Sequence, residues 1–257
     1  MAFCVEDGYN TSYIDSALIA LFYKPTHLYE LLTEIPEDIK FVYLQEIILS
    51  NFVEQIRKNY SISSTYINEI RNYSIMCGWK YGYSITDLYD VQDYLTFLLK
   101  GLNSYPMTIE TMSSKIVQIN CITLNLFEDS TLKKLLNDWI ESTTDGIQYK
   151  FVDLPQLITI YIDRKKEGTK IDIMKKIQFA KNNTHNNASW IIHSLICKTK
   201  SHYYAVVYTL YGNWYLFDNN KLPSILQIDI TNNDISEKIK QECVIVLYRI
   251  DDILCNI

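Results

Sequence analysis

One histidine and one aspartate lie at the two ends of a predicted β-hairpin, where together they could perform acid–base chemistry. His202 stands at the start of a run rich in β-branched and aromatic residues, and Asp218 follows the next such run. A turn around Gly212 joins the two runs, so the antiparallel return of the chain brings Asp218 close to His202. In a nucleophilic triad the imidazole is the base and a carboxylate orients it. His202 and Asp218 could fill these two roles.

A structural explanation of His202 stays open at this level. The sequence has four histidines, and an isolated histidine is more often a core or solvated residue than a catalytic one. His193 falls on a predicted strand and is better explained as a core or edge residue. His202 differs because a carboxylate is placed to orient it.

The nucleophile of such a triad belongs at the N-terminus of a helix. There the positive end of the helix dipole lowers the pKa of a thiol, and free backbone N–H groups can bind an oxyanion. Residues 13–23 have the apolar spacing of an amphipathic helix, with Thr11 or Ser12 as the N-cap. At the start of this predicted helix, where the nucleophile belongs, the sequence has a serine, Ser12.

The elements that must position these residues divide the chain into two halves. The first half is predicted to form helices over 13–23, 39–56 and 91–102. The second half is predicted to form strands over 157–162, 190–197, 203–210, 214–217 and 244–250. Because the helices precede the strands and do not alternate with them, we predict an α+β fold with an antiparallel sheet, in preference to a doubly wound parallel sheet.

Composition narrows the class of protein. A chain of 257 residues that is 48% hydrophobic can form one large domain or two small ones, and it is not intrinsically disordered. The net charge of -6 argues against a nucleic-acid-binding protein with a broad basic face, because phosphate neutralisation needs clustered Lys and Arg. A partner with a basic patch fits better. No stretch approaches about 18 apolar residues, so we expect no membrane insertion.

The cysteines bear on the cellular compartment and on metal binding. They are Cys4, Cys77, Cys121, Cys197, Cys243 and Cys255, and no two have the spacing of a structural zinc site. Their even number leaves disulfides open, but the first residues lack a signal-peptide pattern. We therefore expect an intracellular protein, cytoplasmic or nuclear, with reduced thiols and with no metal or other cofactor. Frequent Ile, Asn, Lys and Tyr indicate an AT-rich genome, such as that of a large DNA virus or a parasite, so association with a virion is a further alternative.

Four stretches of the sequence follow a known pattern in a fixed order. They are YNTSYIDSAL at 9–18, GW at 78–79 with QDYLTFLL at 92–99, LPQLITIYIDR at 154–164, and SHYYAVV at 201–207 with WYLFD at 214–218. Together they resemble the Cys box, the thumb segment, the palm strand and the His box of the ubiquitin-specific proteases, which are papain-like cysteine deubiquitinases. The pattern is most similar to the cylindromatosis-protein branch, with Ser12 at the position of the catalytic cysteine.

The resemblance implies a papain-like fold over the whole chain. A single domain, 1–257, would comprise a helical thumb over 1–105, reduced fingers without zinc over 106–153 and an antiparallel β palm over 154–257. The family reaction is thiol-dependent hydrolysis of ubiquitin peptide and isopeptide bonds.

The resemblance also implies roles for individual residues. His202 would be the general base, Asp218 would orient it, and Asn219 would stand where a second acidic residue can help the oxyanion site. The implied substrate-binding residues are Asp93, Trp79 and Tyr203, of which Asp93 would face the basic tail of ubiquitin. The implied partner is the C-terminal tail of ubiquitin or a ubiquitin-like modifier.

Departures from the family pattern bear on activity. A serine hydroxyl at position 12 ionises far less readily than a thiol, so we predict that hydrolysis is very slow or absent. Asp7 stands where most of the family offers an amide donor to the oxyanion, and Thr96 stands where an acid is usual. Ser12 is either an engineered substitution or the mark of a natural pseudoenzyme.

Two alternatives to an active enzyme remain at this level. A pseudoenzyme could serve as a structural or scaffolding protein with structural protein partners, for example in a virion, or as a ubiquitin-binding module. The chain could also be an unrelated α+β binding module in which the motif matches mislead.

Overall fold

A computed structural model describes residues 3–58, 61–81, 87–102, 104, 107–110, 115–141, 150–180 and 187–251. Cys255 and parts of the predicted fingers, including 142–149, lie outside these residues. None of the five described cysteines forms a disulfide bond with another described residue. Within the described ranges no group of His, Cys, Asp and Glu side chains could hold a metal ion, and no helix is long and apolar enough to cross a membrane.

Helices occupy most of the first hundred residues. The α-helices are α1 (Ser12–Phe22), α2 (Lys40–Ile47), α3 (Glu54–Arg57), α4 (Ser64–Met76), α5 (Val91–Gly101), α6 (Leu132–Glu141) and α7 (Asn233–Glu242). A 3-10 helix spans His27–Leu32, and a π-helical stretch, Ile48–Val53, joins α2 to α3. The three helices predicted from sequence are confirmed, and α4, α6 and α7 were not predicted.

Strands dominate the rest of the chain. They are β1 (Met107–Glu110), β2 (Ile116–Ile119), β3 (Ile122–Leu126), β4 (Ser130–Thr131), β5 (Lys150–Phe151), β6 (Leu157–Arg164), β7 (Ile171–Asp172), β8 (Lys176–Ala180), β9 (Asn187–Lys198), β10 (Tyr203–Tyr208), β11 (Trp214–Phe217), β12 (Ile225–Ile228) and β13 (Cys243–Ile250). All five predicted strands are present.

The chain divides into two compact units, each made of two segments. The first unit contains Met1–Ser104 and Ile196–Asp229, and the second contains Tyr105–Leu195 and Ile230–Ile257. Strand β9 passes from the second unit into the first at Ile196. The division into thumb, fingers and palm stays a prediction.

In the first unit, α1 is the central element. Every residue from Ser12 to Phe22 is buried, including the polar residues Asp15 and Ser16, so the helix exposes no polar face to solvent as an amphipathic surface helix would. It packs against β10, α4 and α5. Strand β10 is likewise buried along its whole length and pairs antiparallel with β11, which pairs antiparallel with β12.

The predicted hairpin has the expected register. Tyr208 pairs with Trp214 and Ala205 pairs with Phe217. The turn between the strands contains Gly212 with φ +85°, a conformation that glycine adopts without a steric penalty. Because of this register, the residues just after Phe217 lie near residue 202.

In the second unit the main sheet is mixed. Strand β13 pairs antiparallel with β6, but β3 pairs parallel with β6, with Ile122 opposite Ile160. The prediction of an antiparallel sheet is therefore wrong for β3. Parallel neighbours need a long crossover connection, and the chain between β3 and β6 supplies one that includes α6. Within the predicted fingers, β1 lies between β2 and β5 in a small antiparallel sheet.

Candidate active site

The helix that carries Ser12 begins just after a strained turn. Tyr9 and Asn10 have φ values of 65° and 56°, in the left-handed region that residues other than glycine rarely adopt. Such residues persist only when their surroundings hold them. Arg71 on α4 does so, because its buried guanidinium donates a 3.1 Å hydrogen bond to the Tyr9 carbonyl and another to Asn68 Oδ1.

Thr11 closes this turn onto α1. It is the N-cap residue, as predicted, and its carbonyl accepts hydrogen bonds from the N–H groups of Ile14 and Asp15. Its hydroxyl accepts a 2.9 Å hydrogen bond from the Gly8 N–H. The same hydroxyl lies 3.3 Å from Asp7 Oδ1 and 3.3 Å from Asp15 Oδ2. With one proton, it can donate to only one of these two carboxyl groups at a time.

Ser12 is buried at the first position of α1. Its Oγ accepts a 3.1 Å hydrogen bond from the backbone N–H of Tyr203, the residue that follows His202. The fold thus brings the predicted nucleophile position to the start of β10, although 191 residues separate the two partners in sequence.

His202 lies beside Asp218, as the hairpin predicted. His202 Nε2 is 3.3 Å from Asp218 Oδ1, at ion-pair distance but without the direction of a hydrogen bond. The other ring nitrogen, Nδ1, lies 2.8 Å from the hydroxyl of Thr199. Each ring nitrogen therefore has a neighbour, and the nitrogen turned away from Asp218 meets Thr199.

Other groups also hold the Asp218 carboxylate. It is 4% exposed, and its Oδ1 accepts a 3.1 Å hydrogen bond from the Asn220 N–H. Lys221 Nζ lies 3.5 Å from its Oδ2. A backbone N–H and an ammonium group therefore both face the Asp218 carboxyl group.

Asn219 points toward α1. Its Nδ2 donates a 2.9 Å hydrogen bond to Asp15 Oδ2, on the helical turn that follows Ser12. Asp15 is completely buried, and burial followed by the charge of Asp7 raises its pKa well above the usual range. The role of Asn219 at an oxyanion site stays a prediction.

Trp79 lies in an aromatic cluster of the first unit. Its indole is 3% exposed and contacts the rings of Tyr13, Tyr81, Tyr94 and Phe97. Trp79 thus packs within this cluster and offers little surface to a ligand.

Tyr203 and Asp93 both lie near the start of α5. The Tyr203 ring is buried, and burial raises its pKa above the usual value while a backbone hydrogen bond with Val91 opposes that rise. Asp93 is exposed on the first turn of α5, after the N-cap residue Asp90. Partial burial and the charge of Asp90 raise the pKa of Asp93. This helix end therefore carries two acidic side chains.

Four residues of the site were not predicted from the sequence. They are Asp15, Arg71, Thr199 and Lys221. Lys221 had a local signal, since it lies three residues after Asp218. Thr199 lies three residues before His202 in the turn that precedes β10, which is also a local signal. Asp15 and Arg71 are polar residues inside helices and had none.

Comparison with solved structures identifies the fold. The chain matches, over 97% of its length, a chain of the SAGA DUB module Ubp8/Sgf11/Sus1/Sgf73 bound to ubiquitin aldehyde, with a TM-score of 0.71, 10% identity and 69% of that chain covered. The same module bound to monoubiquitin gives a TM-score of 0.70, with 10% identity and the same coverages. The yeast module with a substituted Sgf73 gives 0.66, with 10% identity, 97% of this chain and 68% of that chain covered.

Sequence comparison gives no such match. No family model matches the sequence, and no curated protein matches it. At 10% identity the structural likeness concerns the fold alone. The chain therefore has the fold of the SAGA Ubp8 DUB module, a ubiquitin-specific-protease fold, as the motifs predicted, while the helical thumb and the zinc-free fingers stay predictions.

Proposed function

We propose that this protein binds the C-terminal tail of ubiquitin or of a ubiquitin-like modifier and hydrolyses the bond after it very slowly or not at all. One observation carries the proposal. Ser12 occupies the start of the buried helix, where it is bonded to Tyr203 next to the His202–Asp218 pair. The matched structures with monoubiquitin and ubiquitin aldehyde support the choice of partner.

With a thiol at position 12, the site has the parts of a cysteine peptidase. The thiolate would attack the carbonyl carbon of the scissile bond, and His202 would protonate the leaving amine. The resulting thioester would then be hydrolysed by water, with His202 as the base and Asp218 holding the imidazole. The finer assignment to the cylindromatosis-protein branch, and the roles of Asn219 and Trp79, belong to this proposal.

With serine at position 12, the first step lacks a strong nucleophile. Environments that ionise a thiol leave a serine hydroxyl protonated. The hydroxyl would need a base, but His202 Nδ1 contacts Thr199 and Ser12 Oγ contacts the Tyr203 N–H. These contacts support very low activity.

The charge of the chain suits a basic tail. Asp90 and Asp93 lie together at the start of α5, near the Tyr203 side chain. The net charge of -6 favours the approach of a positively charged segment. We propose Asp93 as a contact to that segment.

A second candidate function is a pseudoenzyme that binds ubiquitin or structural proteins without chemistry. The hydrogen bond to Ser12 Oγ favours it, because a serine oxygen is a better acceptor than a thiol sulfur. Ser12 then has a structural role as a native residue. An intracellular location, or association with a virion, stays a prediction under either candidate.

Restoring the thiol tests the proposal. Ser12→Cys is expected to react with a ubiquitin probe that carries a C-terminal electrophile and to cleave a fluorogenic ubiquitin amide, and His202→Ala is expected to abolish both. Ser16→Cys is the matched control, since Ser16 is a buried serine one turn further along α1. The unchanged chain should bind ubiquitin in a titration followed by NMR.

The outcomes separate the candidates. Turnover by Ser12→Cys, but not by Ser16→Cys, supports an enzyme fold silenced at its nucleophile. An inert Ser12→Cys with retained ubiquitin binding supports the pseudoenzyme. Absence of both turnover and binding of ubiquitin or a ubiquitin-like modifier overturns the proposal.

A further inference from the structure

A carboxyl group and an amide face each other in the core beside the candidate site. Asp15 is 0% exposed, and its Oδ2 accepts a 2.9 Å hydrogen bond from Asn219 Nδ2. The other oxygen of each group, Asp15 Oδ1 and Asn219 Oδ1, is also buried and has no hydrogen-bond partner. One acceptor oxygen on each of these two bonded side chains is thus buried without a donor.

A single proton on the Asp15 carboxyl group would supply the missing hydrogen-bond donor. Buried polar atoms without partners are rare because they lose their bonds to water without replacement. A carboxylic acid has one O–H donor, whereas a carboxylate has none. If Asp15 Oδ1 carries a proton, it can donate to Asn219 Oδ1 while Oδ2 keeps the bond from Asn219 Nδ2. The two groups then form a ring of two hydrogen bonds.

The charges around Asp15 agree with a neutral acid. Asp7, in the loop before α1, is an acidic group whose charge disfavours a second charge at Asp15. Arg71 on α4 is the positive group that faces it, but the guanidinium donates to the Tyr9 carbonyl and Asn68. The phenols of Tyr13 and Tyr94 also face Asp15. Burial is the largest influence, and the net effect raises the pKa of Asp15.

We propose that Asp15 is a neutral carboxylic acid in the folded protein and forms a cyclic acid–amide pair with Asn219. The pair connects α1, one turn after Ser12, to the residue that follows Asp218. Asp15 and Asn219 are therefore positioning residues for the site, a role that rests on the proposed function, whereas the protonation state does not. Folding takes up one proton from solvent whenever the unfolded Asp15 is ionised.

The sign of the pH effect follows from this proton. The folded pKa of Asp15 lies above the unfolded value of about 3.9, so between the two values the native state binds one more proton than the unfolded state. Stability is then lost as the pH rises through this window. Asp15→Asn keeps two hydrogen bonds with Asn219 and carries no titrating proton.

The test compares unfolding in urea from pH 5 to pH 9. Relative to Asp15→Asn, the unfolding equilibrium constant of the unchanged chain is expected to rise about tenfold per pH unit until the folded pKa is reached. Glu46→Gln, which removes an exposed acid on α2, is the matched control and should show no such divergence. A constant ratio between the unchanged chain and Asp15→Asn across this range overturns the proposal.

A second measurement needs no stable variant. In protein labelled with ¹³C at the aspartate carboxyl carbons, the Asp15 signal should stay at the chemical shift of the protonated acid at pH 6. A shift typical of a carboxylate at that pH overturns the neutral assignment.

Activity tests the positioning role separately. In the Ser12→Cys background, turnover should decline above the pKa of Asp15, and Asp15→Asn should remove that decline. Identical pH profiles overturn the positioning role. If Ser12→Cys is inert, the silenced-enzyme form of the proposed function fails and the positioning role fails with it, while the carboxyl signal still decides whether the acid–amide pair exists.

Discussion

The backbone N–H of Tyr203 donates a 3.1 Å hydrogen bond to the side-chain oxygen of Ser12. Both groups are buried, so the bond is protected from water. It joins the first residue of α1 to the first residue of β10, beside the histidine of the site. Several properties of the molecule depend on contacts of this kind.

Removing the Ser12 hydroxyl should destabilise the protein. Ser12→Ala leaves the Tyr203 N–H buried without an acceptor, so the free energy of unfolding should fall by about 1–3 kcal/mol. Ser16→Ala is the control, because the Ser16 hydroxyl is buried without a partner and its removal should be nearly neutral. Urea unfolding measures both. Equal losses for the two variants would show that the bond to Tyr203 contributes nothing.

Arg71 should be needed to hold the left-handed turn. Arg71→Met removes both side-chain hydrogen bonds of the guanidinium, and we expect a loss of about 2–3 kcal/mol in the free energy of unfolding. Arg71→Lys keeps the charge but not the fork geometry, so its loss should be intermediate. Arg57→Met is the control, since Arg57 is exposed and covers the Tyr29 ring. Chemical denaturation that gives Arg71→Met and Arg57→Met the same midpoint would contradict this role.

Gly101 should not tolerate a side chain. A Cβ at this residue, the last of α5, would lie 1.9 Å from Phe41 Cε1. Gly101→Ala should therefore lower the free energy of unfolding by about 1–3 kcal/mol, despite the higher helix propensity of alanine. Phe41→Leu should recover part of the loss in the double variant. Additive effects of the two substitutions in a double-mutant cycle would rule out this contact as the cause.

The Cys121 thiol should react slowly with alkylating reagents. Burial raises its pKa to about 12, so at pH 8 only about one molecule in ten thousand carries the thiolate. Labelling by iodoacetamide, followed by mass spectrometry of the Cys121 peptide, should accelerate about tenfold per pH unit above pH 8 while the protein stays folded. A rate at pH 8 equal to that of the unfolded chain would refute the shifted pKa.

The elements with regular apolar spacing could be predicted from sequence. Helix α1 and the β10–β11 hairpin have continuous apolar patterns, and Gly212 marks the turn. Helix α4 was missed because buried polar residues, Arg71 and Ser74, interrupt its inward face. The parallel β3–β6 pairing was missed because strand direction depends on the path of the connection and not on strand composition.

The site could be predicted only where its contacts are local. The His202–Asp218 pair followed from the length and register of one hairpin. The Asp15–Asn219 bond joins residues 204 positions apart, and no local pattern predicts such a contact. The same holds for the bond between Arg71 and the Tyr9 carbonyl, since the partner is a backbone atom and residue type does not reveal it.

The first unit is built from two stretches of chain, Met1–Ser104 and Ile196–Asp229. During synthesis on the ribosome, α1 emerges long before β10, the strand that covers it, and a nascent chain that ends at residue 195 contains Ser12 but neither His202 nor Asp218. Such a chain has a helix with exposed apolar faces and no possible acid–base partner for residue 12. The site can therefore assemble only after residue 218 has been synthesised, and until then the apolar surface of α1 is a target for chaperones and for aggregation.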